Sequence, residues 1–178
     1  AYTEAGGFPA RVELEPIGVV RSPYKERFGT PVQAEPAQGD TPPSRIELFP
    51  ERVPVEALEG LIGIDYVWVI GFLHLNHGFR AKVMPPRGPR VRRGVLSTRS
   101  PHRPNPISLS AARLVGVDGH VLTVGSLDLL DGTPILDLKP YVPYADAFPG
   151  ASAGWIDEID PHAPQLGKGP RGKHREGG

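Results

Sequence analysis

The sequence predicts a mainly β protein: a single antiparallel β-barrel domain with a few short helices and a flexible C-terminal tail. Three observations carry that expectation. Glycine and proline each number 22 among 178 residues, and both break helices, so short strands joined by many turns fit better than a helical bundle. The apolar runs between these breakers are short, and each ends at a turn former. Asp118-Gly119 separates two β-rich runs, which is a strong short-range hairpin signal.

Taken in order, residues 1–11 lack periodicity and read as a flexible lead. A strand is expected from Val12 to Val20, where Val12-Glu-Leu-Glu alternates as a half-exposed strand should. Arg45 to Phe49 is a second, and Pro54-Val-Glu-Ala-Leu-Glu59 is the one convincing helical turn. Ile64 to Leu73 is nearly all apolar with Trp68 at its centre, so it reads as an interior strand. Ile107 to Val117 and His120 to Leu127 flank the Asp-Gly hairpin. The domain is expected over 12–158, followed by a basic, Gly/Pro-rich tail at 159–178. That tail includes Gly167-Lys-Gly-Pro-Arg-Gly-Lys-His-Arg175 and carries too little apolar surface to offset its ordering entropy. It reads as a linker remnant, a basic arm or a segment ordered by a partner.

Net formal charge is zero, yet no acidic residue lies between Asp65 and Asp118. The same window carries Arg80, Lys82, Arg87, Arg90, Arg92, Arg93, Arg99, Arg103 and Arg113. Positive charge of this density attracts phosphates, and the dominance of Arg over Lys suits bidentate binding. Anion or nucleic-acid binding is therefore expected, with Arg87, Arg90, Arg92, Arg93, Arg103 and Asn105 as the RNA-facing candidates.

The chain holds no cysteine, which removes disulfides, thiolate nucleophiles and Cys-ligated metals. His74 and His77 have no acid or cysteine nearby to complete a site, so no metal is expected. No Lys/Arg-led apolar segment opens the sequence, and the most apolar run, Val67 to Leu73, is far too short to span a bilayer. No membrane association and a cytoplasmic location are expected. The glycine loops of hydrolases, kinases and Rossmann dehydrogenases are missing.

Three segments exceed what a barrel requires. Ile17-Gly-Val-Val-Arg-Ser-Pro-Tyr-Lys-Glu-Arg-Phe-Gly-Thr-Pro-Val-Gln33 runs from a strand into a charged loop. In Ser97-Thr-Arg-Ser-Pro-His-Arg-Pro-Asn-Pro-Ile107, three prolines fix φ and bias their predecessors to extended backbone, a stiff frame for Arg99, His102, Arg103 and Asn105. In Ser126-Leu-Asp-Leu-Leu-Asp-Gly-Thr-Pro-Ile-Leu-Asp-Leu-Lys-Pro-Tyr-Val-Pro-Tyr-Ala-Asp146, Asp131-Gly132 is either another hairpin turn or part of a site. Asp128, Asp131 and Asp137 stand in that apolar context, where a carboxylate could accept ribose hydroxyls or an amino group.

Together these segments, with Trp68 to His74 and Pro85-Pro-Arg87, resemble the TsaA-like (TrmO) family over residues 12–150. The resemblance implies a homodimeric barrel that binds S-adenosylmethionine and methylates N6 of threonylcarbamoyl-adenosine beside a tRNA anticodon. It implies cofactor contacts from Pro31, Val32, Gln33, His74, Leu75, Arg99, Leu109, Leu130, Asp131, Gly132 and Thr133. Tyr144 and Asp146, in Tyr141-Val-Pro-Tyr-Ala-Asp146, are candidates to orient or accept the N6 proton; alternatively Tyr144 is core and Asp146 caps a turn. Ser108 departs from the family, which usually has Gly after R-P-N-P-I, and a basic tail stands where longer bacterial members continue into a second domain. A small-metabolite methyltransferase and a non-catalytic RNA-binding barrel remain open as alternatives.

Overall fold

A computed structural model of the chain describes residues 11–26, 42–86 and 88–159. The lead (except Arg11), Pro31, Val32, Gln33, Arg87 and the tail beyond Ile159 lie outside the described residues. The structure is mainly β, and the chain divides into two compact units, Ala1–Arg80 with Pro101–Tyr141, and Ala81–Ser100 with Val142–Gly178.

Among its described residues the first unit contains six strands. They are β1 (Gly18–Arg21), β2 (Ser44–Leu48), β3 (Tyr66–Phe72), and then β6 (Ile107–Asp118), β7 (Val121–Val124) and β8 (Pro134–Pro140). Their hydrogen-bonded order is β1-β2-β7-β6-β3-β8, and β8 returns to β1 through Gly18↔Ile135, giving a closed barrel with every pairing antiparallel. The β strands alternate as their side chains must. Val20, Ile46, Val67, Val69, Leu122, Val124 and Ile135 point inward, and none is more than 2% exposed. Leu127 and Leu129, from the link after β7, complete this core. Each such side chain contributes on the order of 1.5–3 kcal/mol by leaving water.

Most expected elements are present, with two differences in the first unit. The alternation at Val12-Glu-Leu-Glu is not a strand: residues 11–16 are exposed coil, and backbone pairing begins at Ile17, one residue before β1. Alternation alone gives no ladder without a neighbour to donate to, and Val12 and Leu14 stay 70% and 61% exposed. The second difference is the turn at Asp131-Gly132, which is not a hairpin. β7 pairs with β2 and β6, whereas β8 pairs with β1 and β3. Pro134 is tolerated because it opens β8, where a missing N–H costs no ladder bond.

The Asp118-Gly119 hairpin forms, with Asp118↔Val121 as its closing pair and Gly119 at φ +53° in the first loop position. The expected helical turn is a 3-10 turn over Val55–Leu58. Strand β3 is interior in the sheet, paired to β6 and β8. Its continuous apolarity has a different origin from burial on both faces. Val67 and Val69 face the core, while Tyr66, Trp68, Ile70 and Phe72 form an outward apolar row.

The second unit contains the two-stranded sheet of β4 (Lys82–Val83) and β5 (Arg93–Gly94), joined by the Pro/Gly/Arg segment between them. A 3-10 turn at Val95–Ser97 follows, then α1 (Pro143–Asp146) and a 3-10 turn at Gly154–Ile156. Trp155 anchors this unit: its indole N–H donates to the Ser97 carbonyl at 3.1 Å, and the Arg93 guanidinium lies 5.0 Å above its ring. No helix among the described residues is long and apolar enough to cross a membrane.

Candidate functional site

The turn at residues 130–133 is tied to β1 and the residues after it first by backbone hydrogen bonds. Thr133 N–H donates to Leu130 O at 3.1 Å, with Gly132 at φ +79° supplying the left-handed step that a side chain would resist. Gly132 N–H donates to Val20 O and Val20 N–H to Thr133 O, both at 2.9 Å, while Asp131 N–H donates to Tyr24 O at 2.8 Å. Side chains lock the same junction. Ser22, 8% exposed, donates its hydroxyl to Leu129 O at 2.9 Å, and the Thr133 hydroxyl donates to Leu130 O at 2.7 Å.

Asp131 is the charged group of this turn. Its carboxylate accepts from Lys25 Nζ and, at 3.1 Å, from the Ser22 N–H. The Lys25 hydrogen bond holds its carboxyl below the usual carboxylate range, and the Ser22 N–H and Arg21 add to that against the opposing effect of desolvation. Asp131 is therefore ionised at neutral pH and available as an acceptor.

Beside this turn, β3 and β6 end together. Gly71 lies opposite Ser108 on one side and Ile135 on the other, and the register with β8 shifts between Ile70 and Gly71. A Cβ on Gly71 would meet Ser108 Oγ at 2.8 Å, Pro134 O at 3.3 Å and Thr133 Cγ2 at 3.4 Å. Glycine is what lets the three strands meet here, and register shifts of this kind re-aim side chains next to sites. Two polar atoms at this end, His74 Nδ1 and Ser108 Oγ, are buried with no hydrogen-bond partner among the described residues. Leu75 and Leu109 are 58% and 57% exposed.

The proline-rich loop is stitched to the same strand end. Leu73 N–H donates to Pro106 O at 2.8 Å and Arg80 N–H to His102 O at 3.1 Å. The bonds Arg103 N–H to Pro101 O and Ile107 N–H to Asn105 O, at 2.8 and 2.7 Å, tighten it internally. Arg103 is half-buried and Asn105 exposed.

The structure thus brings Thr133 up to Gly71 and Ser108, with Leu109 next to Ser108 on β6 and Leu130, Asp131 and Gly132 in the turn that holds Thr133; His74 and Leu75 follow just after β3 ends at Phe72. Arg99, Arg90, Arg92 and Arg93 belong to the second unit, where the first three are exposed and Arg93 is held by Trp155. Tyr144 and Asp146 are also there, on α1. Tyr144 is 93% exposed, which removes its reading as a core residue. Asp146 Oδ2 accepts from Val142 N–H at 2.8 Å, so it does close a turn. Among the described residues no group of three or more His, Asp or Glu is placed to hold a metal ion.

Sequence reasoning passed over Lys25 and Ser22, the partners of Asp131. The usable signal was a lysine in one distinctive segment and an unpaired aspartate in another. The pairing itself spans 106 residues and is visible only in three dimensions.

Comparison with known proteins follows the same outline. The family model for the tRNA-methyltransferase O N-terminal domain matches residues 19–147. The Escherichia coli tRNA (adenine(37)-N6)-methyltransferase is 41% identical over 150 residues, covering 80% of this chain and 63% of the relative. A putative S-adenosylmethionine-dependent methyltransferase from Pseudomonas aeruginosa is 44% identical over 151 residues, covering 83% and 64%. A crystal structure of TrmO from Pseudomonas aeruginosa superposes with a TM-score of 0.68 at 40% identity, over 85% of this chain and 65% of that one. The chain therefore spans under two thirds of the length of these relatives.

Proposed function

Because the chain belongs to the tRNA-methyltransferase O N-terminal domain family, we propose that it is an S-adenosylmethionine-dependent methyltransferase acting on N6 of adenine 37 in tRNA. The observation that supports this reading is the approach of Thr133 to Gly71 and Ser108 at one end of the barrel, where Ser108 Oγ and, just beyond β3, His74 Nδ1 are buried without partners among the described residues.

These residues fit the cofactor. Leu75 and Leu109 present apolar surface of the kind a purine covers. His74 Nδ1 and Ser108 Oγ are polar atoms awaiting a partner at the same strand end. Ionised Asp131 accepts from ribose hydroxyls or an ammonium. Pro31, Val32, Gln33, Leu130, Gly132, Thr133 and Arg99 complete the proposed contact set. When bound, S-adenosylmethionine supplies an electrophilic methyl group.

The work left to the chain is alignment and proton handling. Well-oriented reactants gain on the order of 7–11 kcal/mol over a free encounter, and the backbone-locked turn and proline loop are suited to holding that orientation. N6 in a urea-like threonylcarbamoyl linkage, the acceptor we favour, is a weak nucleophile that benefits from a proton acceptor. Tyr144 and Asp146 take that role, Asp146 with its carboxylate oriented by the Val142 N–H. Arg87, Arg90, Arg92, Arg93, Arg103 and Asn105 contact tRNA phosphates.

We assign residues 12–158 to one TsaA-like barrel methyltransferase domain that works as a homodimer in the cytoplasm. The outward row of Trp68, Ile70 and Phe72 on β3, with Ile107 opposite Phe72 on β6, supports the dimer as apolar surface suited to a second copy. Incubation with tRNA and methyl-labelled S-adenosylmethionine, then nucleoside mass spectrometry, tests the activity. Label on N6 of threonylcarbamoyl-adenosine is expected. Cofactor binding with no label on any tRNA would transfer the enzyme to small-metabolite substrates.

A further inference from the structure

The outer face of β1, β2 and β7 carries a charge arrangement that the cofactor site does not explain. Arg21 and Arg45 are direct cross-strand partners, and Thr123 follows Arg45 in register on β7. Like charges directly opposite each other on a sheet are destabilising. Local rules are broken in this way chiefly at functional sites. Arg21 is compensated by Glu47 at 2.7 Å, and Lys25 by Asp131. Arg45 is exposed and has no acidic partner among the described residues. The Thr123 hydroxyl beside it likewise makes no hydrogen bond there.

Arg21, Lys25, Arg45, Thr123 and Asp131 line a cleft of about 570 Å³ with Ser22 and the rim prolines Pro23, Pro42 and Pro43. Proline fixes φ, so the rim is ordered before any ligand arrives. An unpaired guanidinium with an adjacent hydroxyl is the donor set that contacts nucleic-acid phosphates, and the cleft offers few apolar side chains to hold a base.

We propose that this cleft is a second RNA contact, in which Arg45 and Thr123 bind a backbone phosphate of the tRNA, separate from the arginine-rich segment at 80–103. The inference rests on the tRNA reading above and adds a contact surface to it. The free source of the same chemistry, inorganic phosphate, is distinguished by the test.

Fluorescence anisotropy with labelled tRNA across a salt series is run on the wild type, Arg45→Gln and Thr123→Glu, with calorimetry of S-adenosylmethionine on each and thermal melting to verify folding. Arg45→Gln is expected to weaken tRNA binding roughly ten-fold at low salt and to reduce the log–log salt slope by about 1. Thr123→Glu, which keeps Arg45 but places a carboxylate beside it, weakens binding similarly. Cofactor affinity stays unchanged in both. Wild-type tRNA affinity in both folded variants overturns the proposal while leaving the methyltransferase reading intact. Loss of cofactor affinity assigns the cleft to the cofactor and also overturns it. Saturable inorganic phosphate binding, lost in Arg45→Gln with tRNA affinity unchanged, makes it a free-anion site instead. A wild type that binds no tRNA at any salt fails the tRNA reading itself and takes this inference with it.

Discussion

Gly71→Ala probes the junction on which the candidate site is built. The new methyl carbon would lie 2.8 Å from Ser108 Oγ, 3.3 Å from Pro134 O and 3.4 Å from Thr133 Cγ2. The first distance is shorter than any real Cβ contact, so Ser108 must rotate or the β3–β6 pair must separate. Overpacking of this kind costs about 1–3 kcal/mol. Ser108→Ala removes the offending oxygen, an atom that is buried without a partner and so contributes no hydrogen bond in the unliganded chain. The double variant is expected to recover most of the loss, giving a coupling energy of about 1 kcal/mol or more. Urea unfolding of the four proteins, followed by tryptophan fluorescence and circular dichroism, reads this cycle. Calorimetry with S-adenosylmethionine then reads the site, and Gly71→Ala is expected to weaken binding because Ser108 and the Pro134 carbonyl beside the turn must give way. A single variant within about 0.5 kcal/mol of wild type, the ordinary range for changes that touch nothing, would refute the geometry. So would a double variant no more stable than Gly71→Ala.

Three further outcomes are expected. The carboxyl of Asp131 titrates below its ordinary range in the folded chain. Its stabilising contribution is therefore present above the unfolded value of about 3.9 and lost as pH falls through the depressed one. Lys25→Met should move the acid-unfolding midpoint to higher pH, and Asp131→Asn should remove that part of the pH dependence; unchanged acid limbs would contradict the pairing. Arg103→Ala should weaken tRNA binding and lower the salt slope by about 1 while leaving cofactor affinity intact, as measured by anisotropy. Arg99→Ala should impair S-adenosylmethionine binding in a folded protein, and normal calorimetric affinity would remove Arg99 from the contact set.

What was legible in the sequence followed from local chemistry. Strands β2, β3, β6 and β7 were readable because their apolar runs end at turn formers, and Asp118-Gly119 announced its own hairpin. Val12-Glu-Leu-Glu misled because alternation describes a strand's faces but cannot supply the neighbour that makes it one. The turn at Asp131-Gly132 was ambiguous for a related reason. A glycine at positive φ serves a hairpin and a non-hairpin turn equally, and only the pairing of β8 with β1 and β3 decides between them. The uniform apolarity of Ile64 to Leu73 concealed two faces, one in the core and one outward. Candidate site residues were marked in the sequence where a motif carried them, as at Asp131 and Thr133. Lys25, Ser22 and the Arg21–Arg45 pair were not, because each depends on a partner far along the chain. The departure at Ser108 was visible as an unusual letter, but its position against Gly71 required the register of β3 and β6.

The central claim is that this end of the barrel binds S-adenosylmethionine, and isothermal titration of the folded chain with S-adenosylmethionine and S-adenosylhomocysteine tests it most directly. The account predicts saturable binding of both near one per chain, weakened when Gly71 is replaced by Ala. No heat of binding from either ligand, in a sample that melts cooperatively, would contradict it and leave an RNA-binding barrel in its place.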